Sequence, residues 1–272
     1  MDLKTASILG AGGLMLALGA CGRSDPGPSP ASPPTEAPDP GYRAGPQIQD
    51  FSRGADGGLI LSGRAMPSSQ IRLASPAGAK AETTADGRGV WRALLGPVSE
   101  PALYGLSAET AGRRVQAEGY VAVLPGAPTV ALLRAGAGAV VLGSSATTLR
   151  LLAVDIDNGG AAVISGVAPA GAPVRLMVDG MVALDAAARP DGHFSLTLPK
   201  ALPPGVHKLE ALAGNAAAPV TISVGLIAPL TQGPYRISQA GGGWRVDWVT
   251  PGEGLQTTLL LAPPDAAPKG TR

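Results

Sequence analysis

The sequence repeats itself at an offset of 103 residues without a gap. Ser62-Gly63 aligns with Ser165-Gly166, and Arg72-Leu73 aligns with Arg175-Leu176. Further identical pairs are Ala65 and Ala168, Gly89 and Gly192, Leu95 and Leu198, Pro101 and Pro204, Leu106 and Leu209, and Ala108 and Ala211. Because one spacing holds across the whole unit, we interpret the chain as containing a duplicated domain.

Each copy consists of short segments that alternate apolar and polar residues between turn signals, which is typical of half-buried β-strands. In the second copy, Asp179-Gly180 separates Pro173–Val178 from Met181–Ala187 as a two-residue hairpin turn would. Gly and Pro number 39 and 27, which suits a turn-rich β fold, while an apolar fraction of 45% argues against disorder. The positions predicted to face inward are Leu61, Ile71, Leu73, Trp91, Ala93 and Leu106, matched by Ile164, Val174, Leu176, Phe194, Leu196 and Leu209.

About seven short strands in each copy predict an immunoglobulin-like sandwich. The pattern S-G-x-A, V-R-L, an Asp-Gly turn, aromatic-x-Leu and P-x-G-x-H-x-L resembles bacterial Ig-like domains of envelope proteins, over about 50 residues per copy. The Cys…Trp…Cys arrangement of antibody domains is missing. The resemblance therefore implies an all-β fold with two tandem Ig-like sandwiches and a non-catalytic role.

The predicted organisation has five segments. They are a signal peptide (1–20), a lipidated Cys21 with a disordered Pro/Gly-rich tether (21–46), a first Ig-like domain (47–126), a second with an N-terminal hairpin (127–228), and a C-terminal β-hairpin or small sheet with a tail (229–272). The N-terminal hairpin of the second domain is expected to join 128–134 to 139–143. Eight prolines between residues 22 and 46 favour an extended spacer.

The segment before Cys21 carries the strongest local motif. A polar start with Lys4 precedes an apolar stretch at 5–17, which is too short to span a bilayer as a stable helix. Leu18, Gly19, Ala20 and Cys21 then resemble the bacterial lipobox, in which the Cys thiol becomes acylated. The alternative is an ordinary secretory signal with a chance Cys. The lipobox resemblance implies membrane anchoring through lipid, and Gly22 in place of Asp favours the outer membrane, facing the periplasm.

Composition and motifs exclude several function classes. The net charge is +1 without a run of Lys or Arg, so a nucleic-acid partner is not expected. A single Cys leaves no disulfide within the chain. The patterns G-x-S-x-G and H-E-x-x-H, the P-loop and the Rossmann glycine pattern are all missing. His193 and His207 lack neighbours at metal-ligand spacing, so we expect no enzyme, cofactor or metal site. The segment 155–160 resembles the start of a calcium loop, but a hairpin turn is favoured because Gly166 stands where the distal Glu would be.

Three aromatic residues near the C-terminal end allow two interpretations. Trp244 and Trp248 share one face of a predicted strand, and Tyr235 lies on its neighbour across a Gly-rich turn. This face either packs on the second sandwich or forms a platform that stacks on sugar rings; packing is favoured because large apolar side chains are usually buried. The preferred function is thus a structural or interaction lipoprotein with an envelope protein as partner, and the alternative is a peptidoglycan- or polysaccharide-binding lipoprotein.

Overall fold

The computed structural model describes residues 44–55, 57–125, 130–144 and 146–262. All the regular secondary structure within these ranges is β-strand. The strands form four antiparallel sheets, which confirms the predicted all-β class. Residues 1–43 lie outside the described residues, and with them the predicted signal peptide, Cys21 and most of the Pro/Gly-rich tether.

The first sandwich packs sheet A, with strand order β1-β2-β5, on sheet B, with strand order β4-β3-β6-β7-β8-β9. Its strands are β1 (Gln47–Arg53), β2 (Leu59–Arg64), β3 (Gln70–Ala74), β4 (Lys80–Thr84), β5 (Val90–Leu95), β6 (Ala102–Thr110), β7 (Arg113–Val123), β8 (Val130–Leu133) and β9 (Val140–Val141). The six inward positions predicted for this copy are each at most 1% exposed, so the period-two alternation placed the core correctly.

The second sandwich packs sheet C, with strand order β14-β11-β10-β19-β18-β17, on sheet D, with strand order β13-β12-β15-β16. Its strands are β10 (Arg150–Asp157), β11 (Ala162–Val167), β12 (Pro173–Val178), β13 (Met181–Ala187), β14 (His193–Thr197), β15 (Gly205–Ala213), β16 (Ala216–Val224), β17 (Tyr235–Ala240), β18 (Gly243–Val249) and β19 (Leu255–Leu260). The six inward positions predicted for this copy are each at most 5% exposed.

Strand pairing confirms the duplication. Strands β1 to β7 correspond in order to β10 to β16, with three strands in one sheet and four in the other, which is an Ig-like arrangement. Leu73 and Leu176 lie at the same step of the corresponding strands β3 and β12. A β-bulge also recurs at the same step, between Ile48 and Asp50 and between Leu151 and Ala153. The sequence pattern did not predict β1 or β10, because neither shows clean alternation of apolar and polar residues.

The two hairpins outside the repeat form as predicted, but each joins a sheet that the sequence did not predict. The hairpin β8–β9, expected to begin the second domain, forms as predicted but pairs through β8 with β7 of the first sandwich. The C-terminal hairpin β17–β18, with β19 as its third strand, forms as predicted and extends sheet C because β19 pairs with β10. In both cases the strands were predicted correctly, but the partner strand was not, since pairing partners are set by contacts between residues far apart in sequence.

A glycine beside the bulge recurs in both copies because an aromatic ring of the neighbouring strand covers it. Gly63 pairs with Trp91, and Gly166 pairs with Phe194. A Cβ at Gly63 would overlap the carbonyl oxygen of Gln47 and lie 2.7 Å from Trp91 Cζ2. A Cβ at Gly166 would overlap the carbonyl oxygen of Arg150 and lie 2.8 Å from Phe194 Cε2. The predicted close backbone approach at these glycines is therefore present.

We expect Gly63→Val and Gly166→Val each to lower the free energy of unfolding by about 3 kcal/mol, because the new side chain must push a backbone strand and an aromatic ring apart. Urea unfolding of each variant measures this loss. Gly87→Val is the matched control and should cost little, since its Cβ would meet no atom within 4 Å and its φ is not positive. Unfolding midpoints equal to that of the wild type for Gly63→Val and Gly166→Val would show that the ring and carbonyl contacts do not restrict these positions.

Candidate functional site

The two sandwiches share a third apolar core, which we call the joint. It lies between the outer face of sheet B and the face of sheet C that points away from sheet D. Its buried members are Leu103, Ala122, Leu124, Ala131, Leu133, Ala139, Ala153, Val246, Trp248 and Leu260. One side is formed by β6, β7, β8 and the adjoining Leu124 and Ala139, and the other by β10, β18 and β19. The joint therefore makes the two copies one continuous packed structure.

Trp248 is the largest fully buried side chain in the joint, at 0% exposed. Its ring meets Tyr120 of β7 edge to face, with centroids 5.7 Å apart and an interplanar angle of 79°. Its Nε1 donates to Thr258 Oγ1 at 3.1 Å, so the indole is satisfied in the interior. Trp248 therefore joins the second sandwich's sheet to the first sandwich, and the expectation that it would pack on the second sandwich is corrected.

The proposed sugar platform is not formed by these aromatic residues. Because Trp248 is completely buried, no face of its ring is open to a sugar. Tyr235 is half-buried against the joint, and its hydroxyl lies 3.4 Å from Ser75 Oγ of the first sandwich. Trp244 is half-buried and packs at the edge of the joint. The favoured interpretation, core packing of this face, agrees with these positions, although the sandwich that receives it is the first.

Asp155 anchors a polar network within the joint. Its side chain lies beside apolar neighbours and is 2% exposed as a residue. Thr258 Oγ1 donates to its Oδ1 at 2.5 Å and Gln256 Nε2 donates to the same atom at 3.0 Å. The backbone N–H of Ala139 donates to its Oδ2 at 2.7 Å. The carboxyl group thus links β10 to β19 and to the turn between β8 and β9 of the first sandwich.

Burial raises the pKa of Asp155 to about 6, even though the three donated hydrogen bonds favour the ionised form. The hydroxyl of Thr258 accepts from Trp248 and donates to Asp155, so the aromatic and acidic parts of the joint form one chain of hydrogen bonds. Sequence reasoning missed this role. The repeat is the sequence feature that could have indicated this role. It aligns Asp155 with Ser52, an exposed residue of β1, so the carboxylate at this position is specific to the second copy.

The calcium-loop alternative at 155–160 does not match the geometry. The Asp155 carboxylate faces the joint, whereas Asp157 Oδ1 accepts from the backbone N–H groups of Gly159 and Ala161 at 2.8 and 2.9 Å. The two carboxylates therefore have separate roles, and the segment after Asp157 is the hairpin turn that the sequence favoured. Among the described residues, no three His, Cys, Asp or Glu side chains form a group that could hold a metal ion.

The side chain of His207 stabilises a turn of sheet D. Its Nδ1 lies 2.8 Å from Asp179 Oδ2, and its Nε2 lies 2.8 Å from the carbonyl oxygen of Pro203. Both partners are acceptors, so the ring makes both bonds when it is protonated. The hydrogen bond to Asp179, together with that to Pro203, raises the pKa of His207. His193 lies at the start of β14 with Nδ1 3.6 Å from Asp191 Oδ1.

Asp247 lies on the opposite face of β18 from Trp248 and forms ion pairs with two arginines. Arg236 Nη2 donates to its Oδ2 at 2.6 Å, and Arg245 Nε donates to its Oδ1 at 2.8 Å. Thr257 Oγ1 donates to Oδ1 at 2.6 Å. Burial opposes ionisation, but these donors lower the pKa of Asp247, so the cluster holds two guanidinium groups and one carboxylate.

Comparisons with known proteins give no family. No protein-family model matches the sequence, and no curated protein matches it. Among solved structures, the BSP domain of a biofilm associated protein is 15% identical over 65% of this chain and 29% of its own, with a TM-score of 0.22. The central fibronectin-III array of RIM-binding protein is 13% identical over 76% of this chain and 80% of its own, with a TM-score of 0.27.

A structure of a 1.5-MDa bacterial ice-binding adhesin, described as giving insight into host cell surface retention, is 10% identical over 80% of this chain and 88% of its own, with a TM-score of 0.22. TM-scores in this range do not settle the fold, which follows from the strand order and pairing described above. No helix in the described part of the chain is long and apolar enough to cross a membrane.

Proposed function

We propose that this chain is a lipid-anchored protein of the bacterial cell envelope with a non-catalytic structural or protein-interaction role. The observation that carries the structural part is the joint, in which Trp248 and Asp155 fasten sheet C to the first sandwich. Tandem domains on a bare linker would move independently, whereas a shared core makes a stiff body suited to holding a binding surface at a fixed place.

The chemistry of the described polar groups supports the non-catalytic role. Three titratable groups are bonded to structural partners: His207 to Asp179 and Pro203, Asp155 to Thr258, Gln256 and Ala139, and Asp247 to two arginines. A general base or nucleophile needs a free lone pair directed at a substrate. These groups instead direct their hydrogen bonds at the protein's own backbone and side chains.

The anchor is proposed from the sequence motif at residues 18–21. Leu18-Gly19-Ala20-Cys21 follows an apolar segment of signal-peptide length, and a Pro/Gly-rich stretch separates it from β1. Acylation of Cys21 would hold the sandwiches at the membrane, and Gly22 favours the periplasmic face of the outer membrane. An extended spacer of about 25 residues at ~3 Å each would let the body reach roughly 75 Å from the bilayer, toward an envelope protein partner.

We expect Cys21→Ser to move the protein from the membrane fraction to the soluble periplasmic fraction, because the serine hydroxyl does not replace the thiol as acyl acceptor. Fractionation of cells followed by detection of the chain measures the shift, and metabolic labelling with a fatty acid reports acylation directly. Ser24→Ala is the matched control and should remain membrane-bound. A Cys21→Ser protein that stays firmly in the membrane fraction would rule out the lipid anchor.

A further inference from the structure

The two copies differ at one edge, and the difference exposes a strand. In the first sandwich, β7 is covered by β8, which pairs antiparallel with it from Tyr120 and Leu133 to Val123 and Val130. In the second sandwich, the corresponding strand β16 is the last strand of sheet D, and no described strand pairs with its outer side. The second sandwich therefore has an open edge where the first has a strand of its own.

Side-chain exposure follows the same difference. Val123 is 0% exposed under β8, whereas Leu226, its counterpart in the second copy, is 84% exposed. Leu103 is 5% exposed, whereas its counterpart Val206 is 71% exposed. Because the repeat aligns these residues pair by pair, the apolar surface that β8 and the joint cover in the first copy is left open to solvent in the second.

A cleft of about 450 Å³ runs along this edge. Val220 and Ile222 of β16 form one wall, and Leu259 of β19 with Trp244 and Arg245 of β18 form the other. The cleft arises because sheet C has six strands and sheet D has four, so the C-terminal strands of sheet C extend past β16. Its open backbone edge and apolar walls are those of a site that receives one more β-strand.

We infer that this cleft binds an extended segment of a partner protein, which adds to β16 as β8 adds to β7. The occupant has apolar residues at alternate positions and a carboxylate near its C-terminal end. Such an occupant is favoured because the segment Val130–Leu133 already fills the equivalent position with alternate side chains directed into two cores. This inference rests on the protein-interaction role proposed above and names the class of partner.

The carboxylate proposed for the bound segment is inferred from the charge of the cleft. Arg245 is the charged residue of the cleft, and it shares the single carboxylate of Asp247 with Arg236. An added strand that runs antiparallel to β16, as β8 runs to β7, ends beside the part of the cleft that Arg245 lines. An acidic side chain there would face the excess positive charge of the two guanidinium groups.

The test uses a peptide copied from the chain's own covering strand. The probe is acetylated Thr-Val-Ala-Leu-Leu-Asp, which reproduces residues 129–133 and ends in an acid, with a fluorescent label on its N-terminal side. Binding to the complete chain is followed by fluorescence anisotropy. We expect saturable binding, slower amide hydrogen exchange across Ala216–Val224 in the complex, and at least threefold weaker binding when the terminal Asp is replaced by Lys.

Val206→Asp should weaken peptide binding at least tenfold, because this side chain lines the cleft. Since it is 71% exposed, the fold is retained. Leu94→Asp, at an apolar side chain that is 56% exposed on β5, is the matched control and should bind as the wild type does. Three results would overturn the inference. They are no saturable binding up to about 1 mM peptide, equal weakening by Leu94→Asp, or a Val206→Asp protein that loses self-association while keeping peptide affinity. The last result would assign the edge to a second copy. None of these results bears on the anchor, because lipidation of Cys21 is measured separately.

Discussion

Replacing Trp248 by alanine is expected to lower the free energy of unfolding by about 3–5 kcal/mol. The side chain is 0% exposed, and its removal leaves a cavity between the two sandwiches and ends the edge-to-face contact with Tyr120. The loss of the Nε1 hydrogen bond also frees an acceptor position on Thr258, which bonds Asp155. Urea unfolding of the complete chain measures the change.

Two variants separate burial from the hydrogen bond. Trp248→Phe keeps most of the buried ring and removes the N–H. The lost hydrogen bond should lower the free energy of unfolding by about 1 kcal/mol, in addition to the loss from the smaller buried ring. Trp244→Ala, at a half-buried tryptophan on the same face, should cost less than Trp248→Ala. A Trp248→Ala protein as stable as the wild type, with a defect in glycan binding, would instead restore the sugar-platform interpretation.

The stability contributed by Asp155 is expected to fall as pH rises from about 4 to about 7. Burial raises its pKa to about 6 in the folded chain, from 3.8 for an ordinary aspartate, so folding takes up a proton between these values. The neutral carboxyl is therefore favoured by folding below pH 4, and this advantage is lost as pH rises through 6. This shift in the pKa of Asp155 corresponds to about 3 kcal/mol in the free energy of unfolding.

Asp155→Asn isolates this contribution because the amide does not titrate. The difference in free energy of unfolding between wild type and Asp155→Asn, measured in urea at both pH values, should favour the wild type more at pH 4 than at pH 7. The matched control is Ser52→Asn at the equivalent position of the first copy, whose difference from wild type should not change with pH, since neither residue titrates. A pH-independent difference for Asp155→Asn would contradict the raised pKa.

The strands and their inward faces were predictable because alternation is a local property and the repeat supplied each pattern twice. Leu73 and Leu176 show this, since their predicted burial in two copies is met by 0% exposure in both. The choice of pairing partner for each strand is not a local property of the sequence. The hairpin β8–β9 and the strand β19 were predicted as strands, but their pairing with β7 and β10 depends on residues distant in sequence.

The polar part of the joint escaped prediction for a related reason. Asp155 stands in a run of turn-forming residues, and its three donors lie at Ala139, Gln256 and Thr258, on both sides of the second copy. A carboxylate is stable in such an interior only when its hydrogen bonds are supplied, and a single-chain pattern does not show which distant groups supply them. The Trp248 face was recognised as apolar, but its position against the first sandwich follows from how sheet C is extended.

The claim that the two sandwiches form one body through the joint is tested most directly by scanning calorimetry of the complete chain and of its Trp248→Ala variant. A shared core predicts that the wild-type sandwiches unfold in one transition whose calorimetric and van't Hoff enthalpies agree. The variant should melt at a lower temperature, with the transition broadened or split. Two separate transitions in the wild type, unchanged in Trp248→Ala, would contradict the account and show that the sandwiches fold independently.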